Sequence, residues 1–95
     1  MSRKTIPFTS AGIGKAPIDK PAIYEIETAG GKSNYIGVAK RGRLQERLGE
    51  HRPGGPDPVP GAKVRIQQTS SIQEAERAEK KLIARTQPKY NKNHK

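Results

Sequence analysis

Ala22-Ile-Tyr-Glu-Ile-Glu27, then Thr28-Ala-Gly-Gly-Lys32, then Ser33-Asn-Tyr-Ile-Gly-Val-Ala39 is the stretch that decides the fold. The two outer runs are rich in β-formers and partly alternate, as half-buried strands do. The paired glycines between them supply the positive φ angles that a tight turn needs. Two antiparallel strands are therefore expected.

Past this hairpin the period changes. In Lys40 to Arg52, Leu44 and Leu48 lie four apart, with Arg47 and His51 four apart beside them. At about 100° per residue these side chains form one stripe of a helix, and Pro53 ends it. Pro53 to Gly61 is so rich in Pro and Gly that it reads as an exposed loop. Ala62 to Gln68 alternates Val64 and Ile66 with Lys63 and Arg65, which predicts a third strand at an edge. Ser71 with Glu74 fits a capping box at the start of a second helix. There Ile72, Ala75, Ala78, Leu82 and Ile83 make an apolar arc about 140° wide, and the helix should stop near Arg85, ahead of Pro88. Gln87 to Asn91 should run extended. The reading is a single α+β domain at residues 21–91, a three-stranded antiparallel sheet flanked by helices in the order β-β-α-β-α. Residues 1–20 have no sustained period and are expected as an irregular or flexible arm; 92–95 form a basic tail. Gly14-Lys15 is no phosphate loop, because Thr9 and Ala16 stand where that motif needs Gly and Ser or Thr.

The bulk numbers bound the function. With 95 residues, 31% apolar, and a mean hydropathy of −0.92, the core is thin. No apolar run suits a membrane span or a signal peptide, and the absence of cysteine excludes disulfides and zinc–thiolate sites. An intracellular, cytoplasmic protein is expected, nucleoid-associated if bacterial. Nineteen Lys and Arg against nine Asp and Glu leave a net charge of +10. That excess points to a polyanion partner, since neutralising phosphates releases counterions. Lys40, Arg41, Arg43 and Arg52 are the candidates for tracking a nucleic-acid backbone.

Two charges do not suit a bland fold. Glu79 falls within the apolar arc of the second helix, and burying a carboxylate there calls for a cation or for protonation. A rim glutamate that snorkels to water is the plain alternative. Arg47 shares its face with Leu44 and Leu48, so a cation points toward the same core edge. A salt bridge between the two would be purely structural; a polar site would be functional.

Ala22-Ile-Tyr24 followed after ten residues by Tyr35-Ile-Gly37 resembles the two signature elements of the GIY-YIG nuclease superfamily. Leu44-Gln-Glu-Arg47-Leu48 resembles its arginine helix, Glu74-Ala-Glu-Arg-Ala-Glu79 its metal-binding helix, and Gln87-Pro-Lys-Tyr-Asn91 its closing segment, the last two especially in the UvrC-type branch. The likeness runs from about residue 21 to 91, as in a small stand-alone member. It implies a metal-dependent endonuclease that hydrolyses DNA phosphodiester bonds in repair, recombination or restriction, with RNA left open as a substrate. By resemblance, Glu79 holds one divalent ion, Mg²⁺ or Mn²⁺. Arg47 contacts a phosphate oxygen, one of Tyr24 and Tyr35 activates water while the other positions it, and Asn91 lines the site. His51 matches a histidine of the homing-endonuclease branch. Three departures stand out: Ala22 replaces the usual glycine, Val38 replaces a lysine of UvrC-like members, and two extra residues near Arg41-Gly42 precede the arginine helix. Lys40, Arg41 or Arg43 would supply the missing charge. The alternatives are a catalytically silent nucleic-acid-binding module on the same scaffold and a basic accessory protein acting inside a larger complex. Selectivity is expected from recognition of DNA shape, or from a homodimer or a protein partner.

Overall fold

The computed structural model describes residues 3–91; the basic tail expected at 92–95 lies outside the described residues. The elements are β1 (Arg3–Pro7), α1 (Ser10–Ile13), β2 (Ala22–Glu27), β3 (Ser33–Ala39), α2 (Leu44–Glu50), β4 (Lys63–Gln68), α3 (Ile72–Thr86) and a closing 3-10 turn at Lys89–Asn91. The sheet is four-stranded and antiparallel, in the order β1-β4-β2-β3.

The hairpin forms where the sequence places it. Tyr24 lies opposite Gly37 and Ile26 opposite Tyr35, with a register shift at Ile26 and Glu27. Of the two turn glycines, Gly31 takes the positive φ, 93°. Gly31 N donates to Thr28 O and Thr28 N to Lys32 O, both at 2.9 Å. Ala22 is not among the positive-φ residues, so its methyl is tolerated where the motif usually has glycine.

Three expectations are corrected. The sheet has four strands rather than three, the N-terminal segment is not irregular over its length, and β4 is interior rather than an edge. One fact explains all three. β1 buries only Ile6 of its five residues, so it shows no alternation, and its partners on β4 come from the far end of the chain, Arg3 opposite Gln67 and Ile6 opposite Val64. Sequence periodicity cannot report a strand held by distant pairing. Phe8 follows β1 into the core, and Arg52 reaches back to it, donating from Nη1 to Phe8 O at 3.0 Å with its guanidinium 5.5 Å from the ring centroid.

Alternating side chains build a core on each side of the sheet. Ile6, Phe8, Tyr24, Ile26, Val64 and Ile66 meet Leu44 and Leu48 of α2 on one face. Ile23 and Ile36 meet Ala75 on the other, flanked by Ile72, Ala78, Leu82 and Ile83 of α3. Helix α3 starts as expected, Glu74 N donating to Ser71 Oγ at 3.2 Å. It ends at Gln87, whose left-handed φ of 48° lets its N–H bond Ile83 O at 2.7 Å. The segment beyond, expected to be extended, closes instead in the 3-10 turn. The Pro- and Gly-rich loop also departs from a simple exposed excursion. Val59 is buried in the α2-side core, Val59 N bonds His51 O at 2.9 Å, and Asp57 N bonds Glu50 O at 3.1 Å. The loop is thereby folded back onto the end of α2.

Candidate active site

The centre of the site is Tyr24, which is 0% exposed. Its ring crosses directly over Gly37, and this explains the glycine. A Cβ at position 37 would lie 2.6 Å from both Cζ and Oη of Tyr24 and 2.9 Å from Tyr35 Cε2. No rotamer of a larger residue escapes that overlap. Tyr35 comes from the facing strand, its ring centroid 6.1 Å from that of Tyr24, and a side-chain hydrogen bond couples the two hydroxyls.

Below the pair sits His51, buried at the C-cap of α2. Its ring lies 4.5 Å from Tyr35 and 5.8 Å from Tyr24, centroid to centroid. Nε2 is 2.9 Å from Tyr24 Oη, while Nδ1 is 2.9 Å from the main-chain oxygen of Asp57 and 3.6 Å from its carboxylate. Asp57 was not singled out from the sequence. It stands in a run of Pro and Gly, and nothing in that run signals that the loop turns inward.

Arg47 stands on α2 and Glu79 on α3. Both act electrostatically on both tyrosines. Burial is the main reason that Tyr24 is held far above the ordinary phenol range; the neighbouring Tyr35 adds to it, Arg47 opposes it, and Glu79 adds slightly. Tyr35 is pushed up to about 12, first by burial, then by Asp57, with Arg47 pulling the other way. Arg47 is about half exposed, its Nη1 3.9 Å from Glu50 Oε1. It therefore projects into the opening rather than into the core. Glu79 is half-buried beside the apolar side of α3.

Arg47 also lines a cavity of about 330 Å³ with Val38, Lys40, Arg43, Ile72 and Glu76. Three cations ring it over an apolar floor. Val38 forms part of that floor, and Lys40, just past the end of β3, brings a charge to the same cavity.

The remaining residues read from the sequence are placed apart. Asn91 does not open onto the tyrosines: its Oδ1 accepts from Ile36 N at 2.7 Å and its Nδ2 donates to Ile36 O at 2.9 Å. The side-chain amide acts as one rung of a missing fifth strand along β3, and so braces Tyr35-Ile36-Gly37 from behind. Arg52, expected among the phosphate-tracking cations, is engaged with Phe8 and ties the N-terminal segment to α2. Arg41 is exposed and does not line the cavity. Arg43 lines it while its Nε holds Glu46 at 2.5 Å, an exposed pair.

The antiparallel sheet, the tyrosine pair on its hairpin and the flanking arginine and glutamate helices define a GIY-YIG-like domain. The chain is similar to the GIY-YIG N-terminal endonuclease domain of UvrC from Thermotoga maritima, solved bound to its catalytic divalent cation, magnesium. The two are 29% identical with a TM-score of 0.64, over 83% of this chain and 90% of that one. A tyrosine-to-phenylalanine variant of the same domain, also cation-bound, matches at 28% identity and a TM-score of 0.64, over 83% and 89% of the two chains. An asparagine-to-alanine variant matches at 27% and 0.64, over 82% and 88%. No protein-family model and no curated protein matches the sequence. The likeness to a metal-bound nuclease domain supports a nuclease-like function.

Proposed function

We propose that the protein is a metal-dependent endonuclease that hydrolyses phosphodiester bonds in DNA, in repair, recombination or restriction. One observation carries this reading. Two hydrogen-bonded tyrosines, one of them 2.9 Å from a buried histidine, lie within the electrostatic reach of a guanidinium and a carboxylate supplied by two different helices. A module that only binds nucleic acid has no use for a carboxylate beside its phosphate site.

Among the described residues no group of three or more His, Cys, Asp or Glu is arranged to hold a metal. Glu79 is a carboxylate whose charge acts on both tyrosines, and a single carboxylate suits Mg²⁺ or Mn²⁺. Such hard ions keep several waters and complete their shell with substrate phosphate. Bound there, the ion would stabilise the negative charge that builds on the phosphoryl oxygens and the leaving group. The chain's own groups do the rest. Arg47 binds a non-bridging oxygen of the scissile phosphate. Tyr35, nearer the opening, positions the attacking water, and Lys40 and Arg43 hold an adjoining phosphate in the cavity they share with Arg47. Gly37 and Asn91 keep the tyrosine hairpin in place. The nuclease unit spans 21–91, reinforced by β1 and α1, and selectivity comes from DNA shape, a second copy or a protein partner.

The test is a cleavage screen over duplex, single-stranded, flapped and branched DNA, and RNA, with Mg²⁺ and Mn²⁺. Cutting is expected, and Glu79→Gln and Arg47→Ala should each abolish it. Cleavage that survives both substitutions defeats the site assignment. Tight binding with no cutting on any substrate favours the silent binding module.

A further inference from the structure

The hydroxyls of Tyr24 and Tyr35 and the ring of His51 share very few protons, and their hydrogen bonds can be satisfied in only two ways. His51 Nδ1 faces a main-chain carbonyl, that of Asp57, at 2.9 Å. A carbonyl only accepts, so Nδ1 carries the proton whenever this contact is made. In neutral His51, Nε2 is then a bare lone pair. Tyr24 has to donate to it across 2.9 Å. Having one proton, Tyr24 has none left for Tyr35, so by proton count the hydrogen bond between the two hydroxyls must run from Tyr35 to Tyr24. The oxygen lone pairs of Tyr35 are thereby turned toward the cleft. In protonated His51 the whole chain reverses. Nε2 donates to Tyr24, Tyr24 donates to Tyr35, and the Tyr35 proton points outward.

We infer that His51, not either tyrosine, is the terminal proton acceptor of this site, reached through a Tyr35–Tyr24 wire whose polarity Asp57 sets by fixing the histidine tautomer. The inference rests on the nuclease reading for its chemistry. As the water oxygen forms its bond to phosphorus and the bond to the leaving sugar oxygen breaks, the water proton passes to Tyr35. The Tyr35 proton passes to Tyr24, and the Tyr24 proton to His51 Nε2. Both tyrosines end neutral, His51 ends as imidazolium, and the leaving oxygen takes a proton from solvent. His51 returns its proton to solvent before the next turnover. The wire removes a difficulty in using a tyrosine alone. Tyr35 is held up to about 12 by burial and by Asp57, so a free tyrosinate is costly in this site, and passing the proton on to the imidazole avoids forming one.

The charged and titratable groups around the ring are consistent with this assignment. Asp57 on the loop has its carboxylate 3.6 Å from Nδ1, where it stabilises the imidazolium. Tyr24 on β2 and Tyr35 on β3 are the wire itself. Arg47, one turn earlier on α2, and Glu79 on α3 act on the tyrosines with opposite sign, and Arg52, next in sequence, is turned away to Phe8. Asp57 is thus a positioning residue, acting through His51.

Two measurements on the full chain test the wire. The protein has two histidines, His51 and His94, and a His51→Gln variant assigns their ¹⁵N signals. At pH 8.5, with or without any substrate, His51 should be the Nδ1–H tautomer; an Nε2–H tautomer overturns the inference whatever the activity. In single-turnover cleavage, the wild-type rate should rise with pH as His51 loses its proton. Glutamine at 51 can still accept from Tyr24 but cannot take a proton, so His51→Gln should slow cleavage by about 100-fold and remove that acidic limb. Asp57→Asn keeps the main-chain carbonyl and removes the charge, so the Nδ1–H tautomer should persist in that variant. A His51→Gln protein that cuts within about threefold of wild type with an unchanged profile overturns the wire. If the wild-type protein cuts nothing, the nuclease reading fails, and the tautomer measurement still decides the polarity of the chain.

Discussion

Replacing Asn91 by alanine removes two hydrogen bonds from the outer edge of the sheet. Its amide holds both main-chain groups of Ile36, at 2.7 and 2.9 Å, on a strand that has no neighbouring strand on that side among the described residues. Ile36 is 0% exposed, so its N–H and C=O lose their partners with little access to water. A buried polar group left unsatisfied costs about 1–3 kcal/mol. With two such groups and some relief from water entering the truncated site, Asn91→Ala should lose about 2–4 kcal/mol. Given a urea slope of about 1 kcal/mol per molar for a small domain, the midpoint should fall by about 2 M or more. Circular dichroism follows that transition, and hydrogen exchange at the Ile36 amide gives a local readout that should lose protection first. Asn91→Asp sharpens the experiment. Its carboxylate can still accept from Ile36 N but faces Ile36 O with a lone pair. Protonation restores a donor, so this variant should gain on Asn91→Ala as the pH falls toward 4, the acid being held neutral in the fold. A stability within about 0.5 kcal/mol of wild type for Asn91→Ala, the range of a bland surface change, would refute the bracing role.

Other outcomes follow from the same geometry. Gly37→Ala should lose about 1–3 kcal/mol through overpacking against Tyr24 and Tyr35, and break the Tyr24–His51 contact seen by histidine ¹⁵N shifts; unchanged shifts would contradict the close approach. Tyr24 and Tyr35 should remain phenols above pH 10 while the protein is folded, which absorbance at 295 nm follows. Because burial raises their folded values above the unfolded one, this contribution to stability is full below about pH 10 and is lost as pH rises toward 12. Ionisation of both near pH 10 without unfolding would be inconsistent with their burial. Finally, Lys40→Ala should lower the salt slope of DNA binding by about 1, whereas Arg52→Ala should leave the slope unchanged and lower stability by about 1 kcal/mol. A reduced slope for Arg52→Ala would return that residue to the DNA-facing surface.

The hairpin, α2, β4 and α3 were legible because each announces itself locally. Val64 and Ile66 alternate, Leu44 and Leu48 recur at helical spacing, and Ser71 caps with Glu74. Glu79 was legible as a misfit, a carboxylate on the apolar side of its helix. What stayed hidden depends on partners far along the chain. Ile6 alone does not mark a strand until Val64 is set opposite it. Asn91 reads as a site residue by position, but its amide points at a main chain 55 residues earlier. Arg52 counted as one more cation until Phe8 appeared beneath it. Asp57 was obscured by its setting, since Pro and Gly around it signal a turn and say nothing of which way the turn faces.

The pairing of β1 with β4 also orders events in time. Strand β1 has no strand neighbour until residues 63–68 have been made, because among the described residues Arg3 to Pro7 pairs with Lys63 to Gln67 and with no other strand. From then until β1 docks, the outer row of N–H and C=O groups on β4 is an open template, with Val64 and Ile66 uncovered on the side where Ile6 and Phe8 will lie. Contacts so distant in sequence form slowly, and an unpaired strand edge is where one chain captures another. The short N-terminal strand therefore acts as a closing seal. The time it takes to dock sets how long each newly made molecule stays open to association with its neighbours.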